Sequence, residues 1–222
     1  VGAINKAGKM SPANMWTNTI TDELRLSTNF KSKVIGIALK DRGAILPAGH
    51  SANAAYWYDG GKWITSSYYM NELPKWVNDF NAKDEPAKAM KKDWTTLYDI
   101  KNYTLSTADD KPYENNIKGL KTATFPHKLS TIDDKDKYEA FKTTPFANNY
   151  TFNFAQEAIY NEKLGQRGVT DFLAVSISST DYIGHSFGPN SIEIQDTYLR
   201  LDFALTEFLM YLDNILGKGN YT

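Results

Sequence analysis

The chain has 222 residues, a formal net charge of −1 and no cysteine. This length suits one domain or a domain with a sizeable insert. The lack of cysteine excludes disulfides, thiolate metal sites and a cysteine nucleophile, and the near-zero net charge does not indicate a nucleic-acid partner. No apolar run has the length of a membrane span, and residues 1–12 lack the pattern of a signal peptide.

The first elements predicted along the chain are a helix and a strand. Residues 17–26 have apolar side chains near helical spacing, and Thr21 can cap the helix locally. Residues 33–39 form a short, mostly apolar run with β-branched side chains, which predicts a buried parallel strand. We expect a loop after this strand, beginning at Lys40, where α/β proteins place ligand groups.

The middle of the chain lacks a regular alternation of strands and helices. Residues 54–58 and 62–69 are aromatic and β-prone, and the Asp-Gly-Gly between them is typical of a hairpin turn. Short helices are predicted over 73–81 and 87–97, and irregular loops over the polar residues 106–137. We therefore interpret this stretch as an insert or cap on an α/β core.

A regular α/β pattern returns in the last third of the chain. A helix is predicted over 152–164, a second buried strand over 171–178, a loop over 179–190 and a long helix over 191–216. The long helix carries one apolar stripe with steps of three and four residues, formed by Leu201, Leu205, Phe208, Leu212 and Ile215.

The predicted fold class is therefore α/β, with a partial sheet, flanking helices and a large insert. Residues 1–42 and 146–222 are expected to belong to the core, and residues 43–145 to the insert or cap. The chain ends where the next strand of a βαβ unit is expected, so we expect it to be truncated there.

Asp181 and His185 directly follow the strand predicted over 171–178. If this stretch turns helically, their carboxylate and imidazole can converge on one cation, and both groups suit zinc. The alternative is a capping aspartate and a surface histidine. The position after a strand end supports the metal interpretation.

Lys40 and Arg42 follow the other predicted strand. Two cations at a strand end suit an anionic ligand, and arginine can bind phosphate in a bidentate manner. The alternative is a solvated loop in which these cations pair with Asp41, and the pattern alone favours this alternative.

The other histidines and two helix aspartates are expected to be structural or exposed. His50 and His127 have no nearby carboxylate at ligand spacing. Asp196 and Asp202 lie on the long helix and are expected to face solvent or to pair with Arg200. No glycine-rich phosphate loop, G-x-S-x-G elbow or H-E-x-x-H motif is present.

Two long strings resemble the bacterial phosphate-irrepressible alkaline phosphatases, which belong to the alkaline phosphatase superfamily near the type I phosphodiesterase/nucleotide pyrophosphatases. They are residues 33–57, which begin K-V-I-G-I-A-L-K-D-R-G, and residues 178–190, S-S-T-D-Y-I-G-H-S-F-G-P-N. Residues 10–12, 20–26 and 196–202 also match, so the resemblance extends over most of the chain. It implies an alkaline-phosphatase-like α/β fold.

The resemblance implies an enzyme with a binuclear zinc site and a covalent phospho-enzyme intermediate. Asp181 and His185 would be two ligands of one zinc. Lys40 and Arg42 would contact the non-bridging phosphate oxygens, which favours monoesters because of their extra charge. The nucleophilic threonine and the remaining ligands are expected outside this chain, so we expect an internal fragment that is inactive alone and binds zinc weakly.

The resemblance also implies phosphorylated small molecules as substrates, a periplasmic or secreted location and no specific nucleic-acid partner. Two alternatives remain open. One is a type I phosphodiesterase or nucleotide pyrophosphatase, whose substrates carry less charge at the reacting phosphate. The other, from a different class, is a glycan- or protein-binding module that uses the aromatic-rich insert.

Overall fold

The computed structural model describes residues 1–3 and 5–222. The strands are β1 (Val34–Ala38), β2 (Ala54–Asp59), β3 (Lys62–Ile64) and β4 (Phe172–Ser176). The α-helices are α1 (Ile20–Ser27), α2 (Asp41–Ala48), α3 (Lys75–Ala82), α4 (Glu85–Ala89), α5 (Lys137–Phe141), α6 (Phe146–Glu162), α7 (Ser179–Phe187) and α8 (Ile192–Leu216). No helix among the described residues is long and apolar enough to cross a membrane.

The four strands form one mixed sheet in the order β3-β2-β1-β4. Strand β1 is parallel to both of its neighbours, and β2 and β3 form an antiparallel hairpin. Every residue of β1 is buried, whereas β4 is half-buried along its length. The α/β fold class is confirmed, with β1 as the central strand and the predicted hairpin in place.

Within the described residues the chain divides into two compact units. The first comprises residues 1–83, 151–176 and 208–222, and the second comprises residues 84–150 and 177–207. The first unit contains the sheet, including β2 and β3, which lie inside the range assigned to the insert. The division into core 1–42, insert 43–145 and core 146–222 stays a prediction.

Two stretches that we expected to be loops are helices. The residues after β1 form α2, because Ala44, Ile45 and Ala48 are buried and give this short stretch an apolar face. Gly43 and Pro47 obscure that periodicity in the sequence. Similarly, most of the loop predicted over 179–190 is helix α7.

Other element boundaries also differ from the predictions. Helix α1 is capped by Thr19 rather than Thr21, through a capping box with Asp22. Helix α4 is shorter than the helix predicted over 87–97 and ends at Ala89. Helix α6 begins at Phe146, six residues earlier than predicted.

The apolar stripe predicted on α8 is buried only in part. Phe208 is 8% exposed, whereas Leu205 is 43% exposed. Ala204, which the stripe omits, is buried. The spacing correctly indicates a helix, but it does not identify which members of the stripe are covered.

Helix α2 packs tightly on β1 because Gly36 has no side chain. A Cβ atom at Gly36 would lie only 2.0 Å from the carbonyl oxygen of Ala44 and 3.0 Å from the Cβ of Ala48. The close approach lets Ala44 and Ala48 join a buried cluster with Val34 and Trp57. This contact fixes the start of α2 at the carboxyl end of β1.

A buried carboxylate connects α1 to the segment before β2. Oδ1 of Asp22 accepts hydrogen bonds from the backbone N–H and the hydroxyl of Ser51, both at 2.7 Å. Oδ2 accepts from the backbone N–H groups of Thr19 and His50, at 3.1 and 3.2 Å. Gly49 is needed beside it, since its φ is +80° and a Cβ would lie 2.7 Å from Oδ2.

Burial by itself would raise the pKa of Asp22, but the bonds from Ser51, Thr19 and His50 outweigh it. Together they hold the pKa of this carboxyl well below its usual range. The ionised carboxylate therefore contributes to the stability of the folded state.

Changing Gly36 to alanine is expected to lower the free energy of unfolding by at least about 2 kcal/mol, because the new Cβ overlaps the α2 backbone. Urea unfolding followed by circular dichroism measures this. Gly184→Ala is the matched control, since the nearest atom to its added Cβ is Ile194 Cδ1 at 3.5 Å. Equal stability of the two variants would contradict the close packing of α2 on β1.

Changing Asp22 to asparagine is expected to cost about 2 kcal/mol at pH 7. The pKa of Asp22 is lower in the folded than in the unfolded state, where it is about 3.9. Its contribution is therefore present above about pH 4 and is lost as the pH falls towards the folded-state pKa. Urea unfolding at pH 7 and pH 3 should show the difference between wild type and variant shrinking with acidity, and a constant difference would argue against this role.

Candidate functional site

Helix α7 carries the predicted metal-binding pair one helical turn apart. Nε2 of His185 lies 3.4 Å from Oδ1 of Asp181. The two side chains are 79% and 51% exposed, respectively. The metal interpretation of the sequence required this stretch to be helical. It is helical, and the carboxylate and imidazole converge.

The separation of these two atoms suits a shared cation. Two ligands of a tetrahedral zinc ion, each about 2.0–2.1 Å from the metal, lie about 3.3–3.4 Å apart. Within residues 1–3 and 5–222, no group of three or more His, Cys, Asp or Glu side chains is placed to hold a metal. Within this part of the chain, the pair Asp181 and His185 therefore offers a cation two side-chain ligands and no third.

The buried side of α7 determines where this pair points. Ser179, Ile183 and Phe187 lie four residues apart, and each is 0% exposed. At 100° per residue, Asp181 and His185 lie on the opposite side of the helix from this buried stripe. Packing of the stripe therefore turns the carboxylate and the imidazole outward together.

Lys40 and Arg42 flank the first residue of α2, at the carboxyl end of β1. Lys40 is the half-buried N-cap residue, and Arg42 is exposed. Oδ1 of Asp41 accepts a hydrogen bond from the backbone N–H of Arg42 at 2.7 Å. This carboxylate oxygen therefore binds a backbone donor in the first turn of α2. Both cations thus lie at the end of the central strand, as expected for groups that contact an anion.

The structure places the two predicted pairs in different compact units. Lys40 and Arg42 belong to the first unit, and Asp181 and His185 belong to the second. Each pair is brought together within its own unit. The roles assigned to these four residues stay predictions.

The structure corrects the prediction made for Asp196. It pairs with Arg200 at 2.6 Å, as anticipated, but it is buried rather than solvent-facing. Its carboxylate also accepts hydrogen bonds from the indole of Trp94 at 2.7 Å, the hydroxyl of Tyr103 at 2.5 Å and the N–H of Leu97 at 2.6 Å. These partners are about a hundred residues away in sequence, so local spacing gives no sign of them.

His127 is a structural histidine with a carboxylate partner that the sequence does not reveal. It is 1% exposed, and its Nε2 lies 2.9 Å from Oε1 of the equally buried Glu193. The partner is 66 positions along the chain. His50 is half-buried, and its Nε2 lies 2.9 Å from the carbonyl oxygen of Met15.

Comparison with known proteins gives consistent matches over nearly the whole chain. A family model described as type I phosphodiesterase / nucleotide pyrophosphatase matches residues 5–222. Alkaline phosphatase PhoV of Synechococcus elongatus is 58% identical over 223 aligned residues, and a Myroides odoratus protein named calcium-transporting ATPase is 59% identical over 226. All of this chain is aligned in both cases, and it spans 40% and 41% of the length of these relatives.

Two of the matching solved structures are crystal structures of alkaline phosphatase PafA. The wild-type enzyme aligns with a TM-score of 0.96 and 50% identity, covering all of this chain and 43% of that one. A PafA variant aligns with the same TM-score. In that variant a threonine is changed to serine, and an asparagine, a lysine and an arginine are changed to alanine, the last two lying two positions apart.

Proposed function

This chain belongs to the type I phosphodiesterase / nucleotide pyrophosphatase family, and we propose that the whole protein is a metal-dependent phosphate monoester hydrolase of the alkaline phosphatase kind. The observation that carries the proposal is the convergence of His185 Nε2 and Asp181 Oδ1, 3.4 Å apart on the outward side of α7. The alkaline phosphatases PhoV and PafA among its relatives support it.

Asp181 and His185 would hold one zinc ion, with the remaining ligands supplied from outside this chain. The carboxylate contributes a negative charge, and the imidazole binds through the lone pair of its neutral form. When bound, zinc supplies Lewis-acid polarisation of a phosphoryl oxygen and stabilises developing negative charge. Helical spacing makes the two ligands converge, and the buried stripe of α7 fixes their direction, before any metal arrives, which reduces the entropy lost on binding.

Lys40 and Arg42 would bind the non-bridging oxygens of the substrate phosphate. This assignment is supported by the position of the two residues at the end of the fully buried strand β1 and by their spacing. The same Lys-x-Arg spacing is present in the pair replaced by alanine in the PafA variant. A monoester phosphate carries more negative charge than a diester, so two cations favour monoesters.

The second candidate is hydrolysis of phosphodiesters or nucleotide pyrophosphates, which the family description names. The two functions differ in the charge on the reacting phosphate, so Lys40 and Arg42 discriminate between them. The proposal further includes phosphorylated small molecules as substrates, a periplasmic or secreted location and no specific nucleic-acid partner.

Changing Asp181 or His185 to alanine in the whole protein is expected to weaken zinc binding at least about tenfold, because a ligand is lost from the shell. Competition with a chromophoric chelator measures the affinity. His50→Ala is the control, since His50 belongs to the other compact unit and its Nε2 lies against a backbone carbonyl. Unchanged zinc affinity in both ligand variants would refute the assignment.

Changing Lys40 and Arg42 together to alanine is expected to lower kcat/KM for a monoester by about 10²-fold or more, and to lower it less for a diester with the same leaving group. Steady-state kinetics on both substrates separates the two candidate functions. Lys62→Ala, an exposed lysine on β3, controls for the loss of positive charge. A larger loss on the diester would favour the phosphodiesterase.

A further inference from the structure

The end of the metal-binding helix is packed into a cluster of four rings, formed by Trp94, Phe125, His127 and Phe187. Phe187 is the last residue of α7, two positions after His185. Its ring centroid lies 5.3 Å from that of His127 and 6.5 Å from that of Trp94. His127 in turn lies 5.0 Å from Trp94 and 4.6 Å from Phe125. The histidine ring thus contacts each of the other three members.

Acidic side chains on α8 anchor two members of this ring cluster. His127 Nε2 lies 2.9 Å from Glu193 Oε1, with both side chains at most 1% exposed. Trp94 donates its indole N–H to Asp196 Oδ2 at 2.7 Å. Glu193 and Asp196 are three residues apart, so they lie on the same side of α8.

The backbone strengthens this arrangement. Trp94 and His127 exchange a pair of backbone hydrogen bonds, each 3.0 Å, and form an isolated β-bridge. The backbone N–H of Asn115 also donates to the carbonyl oxygen of Ser186, in the last turn of α7, at 2.7 Å. The two cluster residues that lie against Phe187 are therefore fixed by both main-chain and side-chain bonds.

The orientation of the His127 ring depends on Glu193. Within the described residues, the other ring nitrogen, Nδ1, has no hydrogen-bond partner. Burial raises the pKa of Glu193, and the bond to His127 opposes that shift. Without the carboxylate, the imidazole would lose the one hydrogen bond that holds its plane against Phe187.

We propose that His127, oriented by Glu193, is a positioning residue that holds α7 in the rotation and position at which it presents Asp181 and His185 to the metal. This inference rests on the proposed function. A nine-residue helix moves as a rigid rod, so a shift or rotation at Phe187 is transmitted to His185 only half a turn away. Residues that orient metal ligands from outside the first coordination shell commonly affect metal affinity by 10–100-fold.

The test is zinc affinity of the whole protein, measured by chelator competition, for His127→Ala. We expect at least a tenfold loss with the helix content of the protein retained. Phe187→Leu is the second variant, which keeps an apolar side chain but removes the ring contact, and a smaller loss in the same direction is expected. Phe141→Leu is the matched control, because it removes a different buried ring contact of the same unit, that with Tyr150, and leaves the ring cluster intact.

A double-mutant cycle separates positioning from general stabilisation. If His127 acts through the two ligands, adding His127→Ala to the Asp181→Ala/His185→Ala protein should cause no further loss of zinc affinity. A further loss equal to that in the wild-type background would overturn the proposal.

The two proposals can also fail separately. Zinc affinity that responds to Asp181→Ala but changes less than twofold in His127→Ala and in Phe187→Leu overturns the positioning role alone. If His127→Ala does not fold, the Phe187→Leu result decides. Zinc affinity that does not respond to Asp181→Ala and His185→Ala overturns the proposed function and the positioning role with it.

Discussion

The close contact between β1 and α2 is the constraint on which the first compact unit depends. Strand β1 is fully buried and pairs on both edges, so any displacement of it would disturb β2 and β4 as well. Gly36 lets the α2 backbone come so close that a single added methyl group would overlap the carbonyl of Ala44. That contact leaves no freedom in where α2 begins, and it thereby fixes Lys40 and Arg42 at the strand end.

Buried carboxylates, in addition to apolar packing, hold irregular segments in both units. In the first unit, Asp22 ties α1 to the residues that precede β2 through Ser51 and His50. In the second, Asp196 and Glu193 bind Trp94 and His127. Burying each of these carboxylates costs free energy, and hydrogen bonds from several donors or from a buried partner offset that cost. These acids are consequently sensitive positions although none of them is a candidate metal ligand.

The candidate metal site combines a local pattern with non-local support. Asp181 and His185 converge because they are four residues apart on a helix. The direction in which they point depends on burial of Ile183 and Phe187. The sequence therefore shows the candidate pair, but it does not show the packing that sets the direction in which the pair points.

The sequence by itself determined the α/β class, the buried parallel strand predicted over 33–39, the hairpin, the long helix and the Asp181–His185 spacing, because these depend on periodicity and turn chemistry over a few residues. It did not reveal α2 and α7 as helices, since Gly43, Pro47 and Gly184 interrupt the local signal and burial overrides it. Only the tertiary structure decided that Asp196 is buried and that His127 is paired with Glu193. Those partners are 66 to 102 residues apart in the sequence, and a local sequence pattern cannot show contacts between residues so far apart.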